Sequence, residues 1–129
     1  MTVVVVGAAI VVAGRVLAAQ RATPEELAGF WEFPGGKVEP GETDRVALVR
    51  ECAEELGVSV EPELQIGGDW PLKGDYVLRV WLTRLRSGVP QAREHLALRW
   101  LGVEELYDVA WVAADLPVVR DLEKVLRNK

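Results

Sequence analysis

The chain has 129 residues, half of them apolar and 27% charged, with 15 Lys and Arg against 20 Asp and Glu for a formal net charge of −5. That length and composition suit one compact domain with a buried core and exclude a disordered chain, while the acidic balance argues against long nucleic acid as partner, because phosphate binding wants Lys and Arg in excess. The single cysteine, Cys52, can form neither an intrachain disulfide nor a multi-cysteine metal site, which fits a reducing compartment, so cytoplasm is the expected location.

In chain order, the Val-rich run Val3 to Val12 reads as a buried central strand. It is too short to span a bilayer, and no basic residue precedes it as a secretory leader would require. A turn near Ala13-Gly14 leads to a second strand over Val16 to Gln20, so the two form a hairpin. Ala22 to Gly29 reads as a loop, and a short extended piece, Trp31 to Phe33, is stopped by Pro34-Gly35-Gly36. A helix is expected over Asp44 to Leu56: Thr43 caps its first turn, Asp44 suits its positive end, and Gly57 supplies the left-handed residue that ends it. Strands follow at Leu64 to Trp70 and Tyr76 to Leu85, joined near Lys73-Gly74, and again at Ala97 to Leu101. A short helix over Val103 to Tyr107 and an amphipathic closing helix over Leu116 to Leu126, with Pro117 in its first turn, complete the reading. Hairpins mixed with a strand-to-helix crossing predict an α/β fold, a mixed β-sheet between helices, in a single domain spanning residues 1–129.

The helix carries the chemistry. At 100° per residue, Val46, Val49, Cys52, Ala53 and Leu56 form one stripe, and Glu51, Glu54 and Glu55 cluster roughly 170° from it. Like charges four apart cost an isolated helix about 0.2–0.5 kcal/mol, so Glu51 and Glu55 slightly destabilise it unless a cation bridges them. Upstream, Gly35-Gly36 lets backbone approach a ligand, and Arg50 can pair with Glu42 to hold the loop Lys37 to Glu42 against the helix. Hard oxygen donors of this kind suit magnesium or manganese.

Gly36, Glu42, Arg50, Glu51, Glu54, Glu55 and Gly57 stand at the spacing G-x5-E-x7-R-E-U-x-E-E-x-G-U, with Cys52 and Val58 at the apolar U positions. This resembles the Nudix box in full, and so many fixed positions make the likeness far more specific than a lone glycine pattern. The chain looks most similar to small MutT-like nucleoside triphosphate pyrophosphohydrolases, including CTP-preferring and 8-oxo-dGTP-cleaving members. The resemblance implies an α/β/α sandwich in which water attacks a phosphorus of the triphosphate, releasing a nucleoside monophosphate and pyrophosphate. It implies Mg2+, or Mn2+, held by Glu51, Glu54, Glu55, Glu94 and the Gly35 carbonyl. Glu94 matches because it lies six residues before Trp100. Glu51 is the favoured base, with Glu94 its competitor.

By the same resemblance Arg21, Phe33 and Asp115 line the base pocket, and Lys37 joins the substrate-binding set. Where the family often has Asn, this chain has Asp115. An ionised Asp only accepts, which favours base edges offering amino or imino hydrogens and leaves CTP, dCTP and 8-oxo-dGTP open. The expected partner is a small nucleoside triphosphate, with no membrane; monomer and homodimer both stay open. Cys52 reads as packing, and His95, the only histidine, as a bystander beside Glu94. Two other classes remain beside the enzyme: a nucleotide-binding module without turnover, and action on RNA 5′ ends, which the acidic balance disfavours.

Overall fold

The computed structural model describes residues 2–128. Strand β1 (Val3–Val12) is apolar without alternation because it is covered on both faces. Val6, Ala8 and Ile10 join one apolar cluster, and Ala9 joins another on the opposite side. Parallel to β1 runs β6 (Tyr76–Ser87), paired from Val3↔Tyr76 to Ile10↔Thr83. Outside it lies the antiparallel β5 (Ser59–Pro71). The other edge of β1 is shared: β2 (Arg15–Gln20) pairs with its far end at Val11 and Val12, and β4 (Gly35–Lys37) pairs with Val5, Val6 and Gly7. Beyond β2 lie β3 (Trp31–Glu32) and β7 (Ala97–Leu101), giving a seven-stranded mixed sheet. Helix α1 (Asp44–Leu56) covers the first cluster and α2 (Leu116–Arg127) the second. The expected α/β/α layering is therefore present.

Both caps of α1 are as expected: Thr43 Oγ1 accepts from the Val46 N–H at 3.2 Å, and Gly57 ends the helix at φ +71°. The orientation of α1 differs from the expected stripe. Its buried residues are Ala47, Leu48, Cys52 and Leu56, whereas Val46 is 54% exposed, Val49 38%, and Ala53 also faces out. The packed face is thus turned by about a quarter of a revolution toward the acidic side. Two ribs of four-residue spacing share that face, Leu48–Cys52–Leu56 against the sheet and Ala47–Glu51–Glu55 on its flank. An apolar count on a helical wheel cannot see this, because the wheel gives a flanking glutamate no reason to point inward.

Three other elements depart from the sequence reading. Strand β4 forms where a stop was expected, because Gly35 and Gly36 have no side chains to keep them from β1; a Cβ on Gly35 would overlap the Val6 carbonyl oxygen. Strand β5 begins earlier than Leu64, with irregular register between Pro62 and Leu64 and between Ile66 and Trp70 that obscures its alternation. The segment expected as a helix to Tyr107 is only a 3-10 turn, Val103–Glu105. Among the described residues no helix is long and apolar enough to cross a membrane.

Candidate active site

The flank of α1 meets β4 edge-on. A Cβ on Gly36 would stand 2.5 Å from Glu51 Cδ, so the missing side chain is what lets the Glu51 carboxylate lie against the strand. Arg50 locks this arrangement: its Nε and Nη2 donate to the two Glu42 oxygens at 2.7 and 2.9 Å, its Nη1 to Glu51 Oε1 at 2.7 Å, and its Nη2 also to the Lys37 carbonyl at 3.2 Å. The paired contact with Glu42 fastens the loop to the helix as anticipated. It also holds the Glu42 carboxyl down to about 2 and pushes the Arg50 guanidinium up.

A cavity of about 610 Å³ opens beside this corner, lined in part by Val5 to Gly7, Gly35 and Gly36, Glu55, Glu94 and His95. Arg21, Glu32, Phe33, Leu78 and Asp115 line the rest. Of the expected residues, Arg21, Phe33, Gly35, Glu55, Glu94 and Asp115 come together around this one space. Glu51 lies behind Gly36, Glu54 points outward at 58% exposure, 3.6 Å from Arg50, and Lys37 lies elsewhere. The Lys37 ammonium sits over the Tyr76 ring, 5.2 Å from its centroid, beside a separate hollow near Thr2 and Pro40.

Two carboxyls in the cavity are perturbed. Burial pushes Glu55 up to about 7, with Glu51, Glu32 and Glu94 adding to the effect and His95 offsetting it, and Glu55 Oε1 is buried with no hydrogen-bond partner. Burial likewise pushes Asp115, 6% exposed, up to about 7, although its Oδ2 accepts from the Phe33 N–H at 3.0 Å. This corrects the premise of an always ionised Asp115. Near neutrality the protonated form is populated as well, so the side chain both donates and accepts, like the amide that the family often carries there. Phe33 is buried against Trp111 with centroids 5.0 Å apart, which is core packing that leaves its edge on the cavity.

The sequence reading missed Glu32 and set His95 aside. Glu32 Oε1 accepts from Arg21 Nη1 at 2.7 Å, and its Oε2 lies 3.0 Å from His95 Nε2. That bond raises the His95 pKa, and the ring's Nδ1 is buried without a partner. The signal was present in the chain: one acid between Trp31 and Phe33, in an apolar strand just before the glycines, is out of place unless it has work in the site.

Whether a divalent cation fits can be judged on donor chemistry. Among the described residues no three His, Cys, Asp or Glu side chains converge closely enough to grip an ion. Against that stands the buried, unpartnered Glu55 Oε1. The first observation concerns like-charged side chains that stand apart without a cation; the second is a buried acceptor that lacks a donor, a state a cation relieves, and it carries more weight. Hard oxygens at Glu51, Glu54, Glu55, Glu94 and the Gly35 carbonyl fit a small hard cation.

The NUDIX domain profile matches residues 1–122. A Mycobacterium tuberculosis protein provisionally named 8-oxo-dGTP diphosphatase 2 is 49% identical over 128 residues, 97% of this chain and 91% of its own. The CTP pyrophosphohydrolase of Escherichia coli is 41% identical over 108 residues, 82% of this chain and 80% of its own. The crystal structure of a MutT NUDIX hydrolase from Burkholderia pseudomallei matches with a TM-score of 0.82 at 32% identity, covering 95% of this chain and 98% of that one.

Proposed function

Because this chain belongs to the Nudix hydrolase family, we propose that it is a Mg2+-dependent nucleoside triphosphate pyrophosphohydrolase. Its substrates are 8-oxo-dGTP, CTP or dCTP, cleaved to the monophosphate and pyrophosphate in the cytoplasm. The observation that supports this reading best is one cavity lined by Glu55, Glu94 and Asp115 together. Relatives named for 8-oxo-dGTP and for CTP support the same substrate class.

In this reading Glu51, Glu54, Glu55, Glu94 and the Gly35 carbonyl hold Mg2+. The cation supplies charge neutralisation of the phosphoryl oxygens and a lower pKa for the attacking water. Arg50 holds Glu51 behind Gly36, itself a wall residue of the cavity, so the carboxylate acts by turning past a position that has no side chain. Glu51 takes the proton from water as the new O–P bond forms and the bridging P–O bond to pyrophosphate breaks; Glu94 is the competitor for that role. The Asp115 carboxyl, fixed by the Phe33 N–H, reads the base edge. Arg21 stands beside it, held by Glu32.

The test is product analysis with CTP, dCTP and 8-oxo-dGTP in Mg2+ and in chelator. Pyrophosphate is expected, and only with metal. Orthophosphate release, or full activity in chelator, sinks the reading; nucleotide binding without turnover establishes a binding module instead. Comparing Glu51→Gln with Glu94→Gln then separates the two bases.

A further inference from the structure

Glu32 lines the cavity, and its two oxygens tie separate parts of the chain. Oε1 accepts from Arg21, just beyond the end of β2, and Oε2 meets His95 on the segment leading into β7. The His95 side chain is 6% exposed. Residue 95 directly follows Glu94, and the stretch from Gly88 to Leu96 that carries both contains neither helix nor strand. Such a segment takes its place only from its tethers. On one side of Glu94, Arg93 Nη1 donates to the carbonyls of Ala53 and Glu54 at 3.3 and 3.4 Å. On the other, His95 meets Glu32, and the Leu96 N–H donates to the Gln20 carbonyl at 2.9 Å.

We propose that Glu32 is a positioning residue for turnover: through His95 it sets where the Glu94 carboxylate stands, and through Arg21 it links that placement to the base-binding side. This rests on the hydrolase reading above. A carboxylate facing two nitrogen donors accepts from both at once, whereas an amide accepts only through its single oxygen and can meet His95 only by donating to an Nε2 that carries no proton. Glu32→Gln therefore keeps the volume but loses the charge that both donors face, and Glu32→Ala loses the contacts altogether. Outer partners of this kind typically change activity by ~10- to 100-fold.

The experiment compares Glu32→Gln, Glu32→Ala, His95→Ala and the double Ala variant with wild type. It uses Mg2+ and whichever of CTP, dCTP or 8-oxo-dGTP the wild type cleaves fastest. In His95→Ala, kcat is expected to fall ~10-fold with KM near wild type. In Glu32→Ala, kcat falls by a similar factor and KM rises as well, because Arg21 is freed. The double variant should lose no more kcat than Glu32→Ala alone, since both changes cut one tether. Independent losses that multiply, or wild-type kcat in Glu32→Ala, overturn the proposal. Should Glu32→Ala fold poorly, Glu32→Leu, which keeps most of the volume and offers no acceptor to either nitrogen, decides by the same kcat criterion.

A second readout needs no turnover. His95 is the only histidine, so tag-free protein labelled at histidine nitrogen gives one imidazole signal. Its Nε2 proton should be visible in wild type and vanish in Glu32→Ala; persistence unchanged refutes the tether. A wild type that cleaves no triphosphate would remove the hydrolase reading while leaving this signal interpretable, so the two failures are distinguishable.

Discussion

Asp115→Asn isolates the cost of ionising a buried carboxyl. Asp115 moves from an ordinary 3.8 to about 7 because it is buried; Glu32 adds to the rise, and the Phe33 N–H and Arg21 oppose it. For an acid whose folded pKa lies above its unfolded one, the native state binds the proton more tightly. Stability is then greatest below pH 4 and is lost as the pH rises through the window from about 4 to 7. At about 1.4 kcal/mol per pH unit over roughly three units, the loss attributable to this group is about 3–4 kcal/mol between pH 4 and pH 8. Asn keeps an oxygen for the Phe33 N–H and has no charge to lose solvation. Urea unfolding of both proteins at steps from pH 4 to pH 8 should give curves that nearly coincide at pH 4 and separate steadily, with the variant more stable at pH 8. Parallel pH profiles would show that Asp115 ionises freely in the fold, and would remove the argument that it donates to a base near neutrality.

Glu54→Gln should abolish Mg2+-dependent turnover while changing unfolding free energy without metal by no more than about 0.5 kcal/mol, since the side chain is exposed; a large loss on a denaturant curve would mark it as structural. The two glycines of β4 should behave differently. Gly36→Ala meets only the flexible tip of Glu51, so the protein should fold and lose about a hundredfold in kcat. Gly35→Ala meets the Val6 backbone, which cannot yield, and should cost more than about 4 kcal/mol in thermal or denaturant unfolding. Cys52 is buried and its thiol is pushed up to about 12 by burial, so folded protein at pH 8 should resist alkylation that goes to completion in urea; rapid labelling of the native state would contradict the packing.

Much of this was legible in the chain because local rules set it. Thr43 and Gly57 mark the ends of α1 through capping chemistry that needs no tertiary partner, and the Arg50–Glu42 contact follows from helix spacing plus a short loop. What was not legible depends on long-range placement. The direction in which α1 turns is fixed by where β4 lies, and β4 was read as a break because its glycines serve a close approach and not a bend. Glu32 stayed hidden because its partners lie 11 and 63 positions away, and no periodicity encodes a contact across that distance. Asp115 was expected at the base pocket from the family resemblance, but its burial, and with it the upward shift of its carboxyl, came only with the fold.

The charges around the cavity argue for how a polyanion enters a protein of net charge −5. Among the described residues the basic side chains lining it are Arg21 and His95, and both are engaged by Glu32. Arg50, close by, is engaged by Glu42 and Glu51, and Lys37 faces Tyr76. Against them the lining holds Glu32 and Glu94, joined by Glu55 and Asp115 as the pH rises past about 7. A triphosphate brought to this wall alone meets repulsion that none of these paired cations can relieve without leaving its carboxylate uncompensated. Binding and catalysis should therefore both require metal, unlike a site whose arginines hold the phosphates and whose metal serves only the chemistry. Calorimetry with a nonhydrolysable triphosphate analogue should give affinity at least tenfold weaker in chelator than in Mg2+, a difference of about 1.4 kcal/mol or more. Equal affinity in the two conditions would mean that a side chain, not the cation, carries the phosphate charge, and the acidic flank of α1 would then need another explanation.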